Sequence, residues 1–346
     1  MFYSTLLCLF AVKSVFCLVI EIPNPPPEQS DPEWTLIPDE DENLHLVNVV
    51  SALNEPQPRF NVEIGVIFEL YTEKNPNVPQ ILRPNDLASL ASSYFDASRP
   101  TRIVSHGWNS KGDLTVSFSR AYFQNNNDVN FIAVNWQAGS NTINYISARN
   151  RVPLVARHVA RFVDFLVEYG RMNLKDVILI GHSLGAHVVG IAGKNVGTGR
   201  LPKVIGLDPA NPLFNYRDPA GRIAVGDALS VETIHTNAGT LGFSAPLGDA
   251  TFYPNGGRSQ PGCGIDLAGA CAHSRAHEFY IESINTETHF YSYPCQSYDE
   301  IRRGRCTVIG EQQRMGGDPG NQGAANGVFF LETARQAPFA LGRTSP

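Results

Sequence analysis

The sequence predicts an α/β architecture: a mainly parallel central sheet with helices on both faces. Two observations predict it. Short runs rich in β-branched residues (129–136, 176–180 and 203–207) alternate with longer segments of helical periodicity, the pattern of parallel strands joined by crossover helices. The pentapeptide Gly181-His182-Ser183-Leu184-Gly185 lies between one such strand and a small-residue helical stretch, residues 186–193. A G-x-S-x-G in that setting is a nucleophile elbow, a strained turn that lifts the serine Oγ above the sheet. A Cβ at either glycine would collide with the neighbouring strand or helix. Alone, the five residues suit an ordinary turn equally well; the strand before and the helix after decide for chemistry.

From the N-terminus, Phe2 to Val12 is largely apolar and Ser14-Val15-Phe16-Cys17 offers small residues at cleavage positions. Residues 1–17 read as a secretory signal peptide, the apolar run being too short to span a membrane. Residues 18–60 form an acidic, Pro-rich extension with nine acidic residues and no Lys or Arg between Leu18 and Pro56. Such composition is expected to bury little and stay extended, as a propeptide or as an arm lying on the body. The body, residues 61–346, opens on Val62, Ile64, Val66, Phe68 and Leu70 alternating with Glu63, Gly65 and Glu69, which predicts a half-buried strand. A strand follows at 129–136, then a helix over 150–170 with an apolar stripe of Val155, Val159, Phe162, Val163 and Leu166. The strand 203–207 ends at Asp208-Pro209-Ala210, a further strand covers 231–236, and an aromatic-rich helix covers 274–284. The net charge of −6 lies mostly in the extension, so the body is near neutral and carries no electrostatic footprint for nucleic acid. No repeat and no transmembrane segment is found.

A serine hydroxyl attacks only when a histidine takes its proton and a carboxylate holds that histidine in the right tautomer. In this kind of fold the chain order is serine, acid, histidine. Asp208, at the carboxyl end of the strand after the elbow, stands where the acid should; an Asp before Pro can also simply start a turn. The base is less sharply marked. His182 and His187 flank the serine too closely, while His235, His273 and His277 remain, with His273 favoured because Cys271 could anchor it. The oxyanion needs two backbone N–H donors. Leu184 follows the nucleophile, and the strand ending Ser105-His106-Gly107-Trp108 offers Trp108 as the second. Beyond Cys8 and Cys17 of the leader, the chain keeps Cys263, Cys271, Cys295 and Cys306. This even number suits a secreted protein and allows three pairings; the adjacent one closes the shortest loops.

Ser105-His106-Gly107-Trp108, Gly181 to His187, Gly206-Leu207-Asp208-Pro209-Ala210, Ile234-His235-Thr236, Phe252-Tyr253-Pro254-Asn255-Gly256-Gly257 and Cys271-Ala272-His273 occur in that order. Over residues 62 to the end, the chain resembles the pancreatic lipase family, in particular its insect secreted lipases and phospholipases A1. The resemblance implies an α/β-hydrolase fold, Ser183, Asp208 and His273 as the triad, Trp108 and Leu184 as oxyanion donors, and a structural His235. It also matches the adjacent disulfides Cys263–Cys271 and Cys295–Cys306. The chain ends about seventy residues after His273, which leaves a single catalytic domain without a C-terminal β-sandwich, and no colipase is expected. The family's calcium loop is only half kept: Arg222 and Asp227 are present, but Pro219 and Ala224 stand where carboxylates are expected, with Asp218 nearby. Hard cations need several oxygen ligands, so neither a metal nor another cofactor is expected.

The function expected is a secreted hydrolase of acyl-lipid esters acting at a lipid–water interface. Its alternative is a non-enzymatic lipid-binding or yolk-type homologue, against which the intact serine, acid and base argue. A small-ester carboxylesterase would need a deep gorge, whereas the lid-type loop Gly264-Ile265-Asp266-Leu267-Ala268-Gly269-Ala270 suits an interface. That lid and the segment 237–253 are both short, which favours phospholipid over triacylglycerol.

Overall fold

The computed structural model describes residues 4–11, 14–21, 34–39, 43–48, 59–110, 112–124, 128–142, 144–321 and 323–344. The chain divides into a small unit, residues 1–30, and a large one, residues 31–346. In the small unit, strands β1 (Ser4–Ala11) and β2 (Ser14–Glu21) pair antiparallel. Of the expected leader, residues 1–3 and 12–13 lie outside the described residues, as do 22–33, 40–42 and 49–58 of the extension.

The large unit begins with an antiparallel ribbon, β3 (Trp34–Pro38) and β4 (Leu44–Asn48). An arm that stays extended and buries little was the expectation, yet Ile37 and Val47 enter the main hydrophobic core. The cause is local. Trp34-Thr35-Leu36-Ile37 and Leu44-His45-Leu46-Val47 are two strand-forming quartets, and the Asp39 carboxylate closes the turn by accepting from the Asn43 backbone N–H at 2.9 Å. The strand expected from Val62 is also corrected in its first half. Asn61 caps a single helical turn, α1 (Val62–Gly65), by accepting from the Glu63 N–H, and only then does β5 (Ile67–Tyr71) begin.

The remaining elements are β6 (Gln80–Leu82), α2 (Leu87–Ala91), β7 (Thr101–Ser105), α3 (Asp113–Gln124), β8 (Asn130–Asn135), α4 (Gln137–Ser140) and α5 (Tyr145–Glu168). Then come β9 (Val177–His182), α6 (Leu184–Asn195), β10 (Lys203–Leu207), β11 (Ser230–Ile234) and β12 (Ala250–Pro254). The last are α7 (Ala270–Asn285), β13 (Tyr291–Cys295), α8 (Tyr298–Arg302), β14 (Gln313–Arg314) and β15 (Gly327–Leu331). Helix α5 starts five residues earlier than its apolar stripe suggested, because Asn144 caps it by accepting from the N–H groups of Ile146 and Ser147.

Eleven strands form one sheet in the order β14-β13-β15-β12-β11-β10-β9-β7-β8-β5-β6. The seven from β15 to β8 pair parallel, and the edges beyond them pair antiparallel. Alternate strand residues feed opposite cores, as a two-sided sheet requires. Leu179 and Val204 face α5 and α6, whereas Ile178, Ile180 and Ile205 face α3 and α7. This is an α/β-hydrolase fold. Among the described residues no helix is long and apolar enough to cross a membrane.

Candidate active site

Ser183 occupies the turn between β9 and α6 with φ 56° and ψ −121°, a left-handed conformation that a side chain makes costly. Packing holds it there. The Ser183 N–H donates to Leu207 O at 3.0 Å, and its carbonyl accepts from the N–H groups of Ala186 (3.1 Å) and Ala210 (3.3 Å). The glycines on either side leave room for the turn. A Cβ on Gly181 would stand 2.1 Å from Gly185 O, and one on Gly185 would stand 2.2 Å from Ser105 O and 2.6 Å from His106 O. The start of α6, with the Leu184 amide, is therefore brought against the loop that carries Trp108.

Asp208 follows β10 with φ 40° and is fully buried. Its Oδ1 accepts from the backbone N–H groups of Thr236 (2.8 Å) and Asn237 (3.0 Å), and its Oδ2 accepts from His273 Nδ1 at 2.6 Å. Gly242 makes space for the carboxylate, since a Cβ there would lie 2.4 Å from Oδ1. His273 sits in the first turn of α7, and its carbonyl accepts from His182 Nε2 at 3.2 Å. The structure thus joins the acid to the favoured histidine, and the serine shares backbone bonds with Leu207 and Ala210 on either side of that acid.

The Trp108 side chain is locked. Its Nε1 donates to Thr142 O at 2.8 Å, and its ring meets Tyr145 and His45 edge-on, with centroids at 5.4 and 4.7 Å. Sequence reasoning missed the supports of this loop. His106 donates from Nδ1 to Gly107 O (2.9 Å), its Nε2 accepts from Trp136 N–H (3.2 Å), and Trp136 Nε1 returns a bond to His106 O (2.9 Å). His187, set aside as too close to the serine, joins α6 to the Asp208 loop by donating to Ala210 O at 2.7 Å while accepting from Ile223 N–H at 3.2 Å. Burial pushes its pKa down to about 3, so it works as a neutral clamp. Their partners are tens of residues away or backbone atoms, and no spacing rule marks them. His235 is fully buried, with Nδ1 donating to Phe243 O and Nε2 accepting from Thr233 Oγ1.

The lid-type loop, residues 264–270, is closed by a Cys263–Cys271 disulfide, and a second bond joins Cys295 to Cys306. Cys263, Asp266 and Cys271 cluster, but with both sulfurs in the disulfide they form no metal-ligand set. Asp266 instead caps α7, accepting from Cys271 and Ala272 N–H. Ile265 and Leu267 point outward, 88% and 89% exposed. Between β10 and β11, the donor set does not fit the calcium ion that the resemblance implies. The Lys194 ammonium donates to Pro219 O (2.5 Å) and Arg222 O (2.8 Å) and pairs with Asp227 Oδ1 at 3.0 Å. Burial pushes the Asp227 carboxyl up to about 6 although Lys194 pulls the other way, so at neutral pH this is an ion pair.

Residues 39–339 match the sequence family described as Lipase. The human inactive pancreatic lipase-related protein 1 is 36% identical over 311 residues, covering 81% of this chain and 66% of that one. Rabbit lipase member H is 35% identical over 260 residues, 72% of this chain and 56% of that one. Guinea-pig pancreatic lipase-related protein 2 is 34% identical over 295 residues, 81% and 67% respectively. The chain spans about two thirds or less of these relatives' lengths.

Two outcomes follow from this geometry. Gly185→Ala is expected to cost about 3 kcal/mol, because the new methyl would overlap backbone rather than a movable side chain; urea denaturation measures it. Lys194→Met is expected to cost about 3 kcal/mol by leaving the buried Asp227 carboxylate without its counter-charge, while the thermal midpoint of the parent stays the same in calcium and in EDTA. A midpoint that drops in EDTA would mean a metal, not Lys194, holds this loop.

Proposed function

The chain belongs to the pancreatic lipase family, and from that premise we propose that it is a secreted serine hydrolase of acyl-lipid carboxylic esters. The observation that carries the reading is the 2.6 Å bond between the buried Asp208 carboxylate and His273 Nδ1, beside a serine held in an elbow. That bond fixes the tautomer in which Nε2 is the base. His273 takes the Ser183 proton as Oγ attacks the ester carbonyl. The oxyanion so formed accepts hydrogen bonds from the Leu184 and Trp108 N–H groups. Collapse expels the alcohol, which receives the proton from His273, and water then repeats the sequence to release the fatty acid from Ser183. Secretion is supported by the apolar leader and the two disulfides, bonds that persist in oxidising compartments.

The substrate class proposed is phospholipid, cleaved at the sn-1 ester, with weaker action on triacylglycerol. A neutral-lipid site needs broad apolar cover. Here the lid offers two exposed apolar side chains, and the large apolar residues of the β11–β12 connection, Leu241, Phe243 and Leu247, are buried in the core. These two segments offer little apolar area, so a polar head group has room between them. A non-enzymatic lipid binder is the competing class, and one relative carries "inactive" in its name; labelling of Ser183 by a fluorophosphonate separates the two.

Ser183→Ala is expected to remove hydrolysis by on the order of a million-fold while leaving folding unchanged, read by fatty-acid release and circular dichroism. Retention of a tenth of the activity would exclude the serine mechanism. Purified protein is expected to release fatty acid faster from phosphatidylcholine than from emulsified triolein; the reverse ranking would refute the loop argument.

A further inference from the structure

The β3–β4 ribbon has two unlike faces. Ile37 and Val47 point into the core, while Trp34, Leu36, Leu44 and Leu46 are 54%, 45%, 51% and 64% exposed. The register places Leu36 opposite Leu46, with Trp34 and Leu44 two residues away along the same face, so the four make one continuous apolar surface. Polar contacts hold the ribbon at the loop of the candidate oxyanion donor. Asp39 Oδ2 accepts from Asn109 Nδ2 at 2.9 Å and pairs with His45 Nε2 at 3.0 Å, and the His45 ring lies 4.7 Å from that of Trp108. Burial alone would raise the Asp39 carboxyl, but hydrogen bonds from His45, Asn109 and Asn43 together lower it, so the anchor stays charged at neutral pH.

We propose that the outward face of this ribbon is a docking surface for the zwitterionic surface of aggregated phospholipid, seating the protein with its candidate site toward the lipid. Contiguous exposed apolar faces mark interaction sites, and Trp beside leucines is the composition that partitions into a membrane interface. The occupant follows from position and charge. The surface adjoins the loop past which an ester carbonyl must be delivered, and the sequence around it is strongly acidic, Glu40-Asp41-Glu42 lying between the two strands, which disfavours an anionic bilayer. The proposal rests on the lipid-ester reading only for the choice of occupant.

Trp34 is exposed whereas Trp108 and Trp136 are buried, so a blue shift of tryptophan emission reports this face. In the full chain carrying Ser183→Ala, to prevent turnover, phosphatidylcholine vesicles are expected to shift the emission, and brominated phosphatidylcholine to quench it. Adding Leu36→Ser and Leu46→Ser is expected to weaken vesicle partitioning by about tenfold or more. With Ser183 restored, the same two substitutions should leave hydrolysis of a monomeric water-soluble ester unchanged. Equal partitioning of both chains overturns the proposal, as does stronger binding to phosphatidylglycerol vesicles. A dimer in sedimentation that the substitutions dissolve would make the face a contact between copies and also overturn it. Should the double variant not fold, absence of quenching by brominated lipid in the parent decides against it. If no soluble ester is hydrolysed while the partitioning difference persists, docking stands and the catalytic reading falls.

Discussion

A single buried carboxylate organises this site. Taking the Asp208 charge out of water is tolerable only if its oxygens are fully hydrogen-bonded, and removing one partner of such a buried pair costs about 3–5 kcal/mol. The donors come from separate parts of the chain: the N–H groups of Thr236 and Asn237 after β11, and His273 at the start of α7. Each bond fixes the element that supplies it. Asn237 extends the constraint outward, since its side chain accepts from Leu241 N–H at 3.0 Å, and a Cβ on Gly269 of the lid would stand 2.5 Å from it. The lid is thus packed against the residue that solvates the acid. Its position and that of the candidate base are set by the same charge.

The elbow solves a second problem, the approach of backbones. An oxyanion hole made from two N–H groups works only if helix α6 starts within a few ångströms of the loop after β7. Gly185 permits that contact, and its Cβ-less surface faces two carbonyls of that loop. The cost is a serine at positive φ, which on its own disfavours the turn by about 1–3 kcal/mol. Three backbone bonds to Ser183 and the His187 clamp between α6 and Ala210 oppose its relaxation. Strain here is held by hydrogen bonds that belong to the fold.

The parts of the candidate site carried by short, contiguous chemistry are legible in the sequence. Ser183 and Asp208 follow the ends of apolar strands and Leu184 opens the helix after the elbow, where local pattern shows them, and the parallel sheet follows from strand–helix alternation. Among the histidines, the residues themselves favour His273 through neighbouring Cys271 alone, because a base is defined by where its ring points and no spacing encodes that. The supports of the site escaped for the same reason. His106, His187 and Lys194 look like ordinary residues of loops and a helix until the fold brings Trp136, Ala210 and Asp227 to them. The β3–β4 ribbon escaped differently. Its two quartets are short and embedded among prolines and acids, so composition averaged over forty residues concealed a period-two pattern five residues long. Val62 shows the converse failure: alternation suggested a strand, but the Asn61 cap won the first turn for a helix.

The distribution of apolar surface then ties architecture to chemistry. In the β11–β12 connection the sequence spends its large apolar residues inward, on the core beneath Asp208. Among the exposed apolar groups, six stand on two segments joined to the candidate machinery: Ile265 and Leu267 on the loop closed by Cys263–Cys271 beside His273, and Trp34, Leu36, Leu44 and Leu46 on the ribbon anchored on Asn109 beside Trp108. Singly exposed apolar residues are ordinary, whereas a contiguous apolar face such as that of the ribbon marks an interaction site. Ile265 and Leu267 stand on a loop held at its base by a disulfide and by the cap that Asp266 provides, and the ribbon is held by two core residues and a hydrogen-bonded aspartate. Both apolar faces are therefore mounted on rigid supports. A surface prepared in this way meets a partner without ordering first, which lowers the entropic cost of docking.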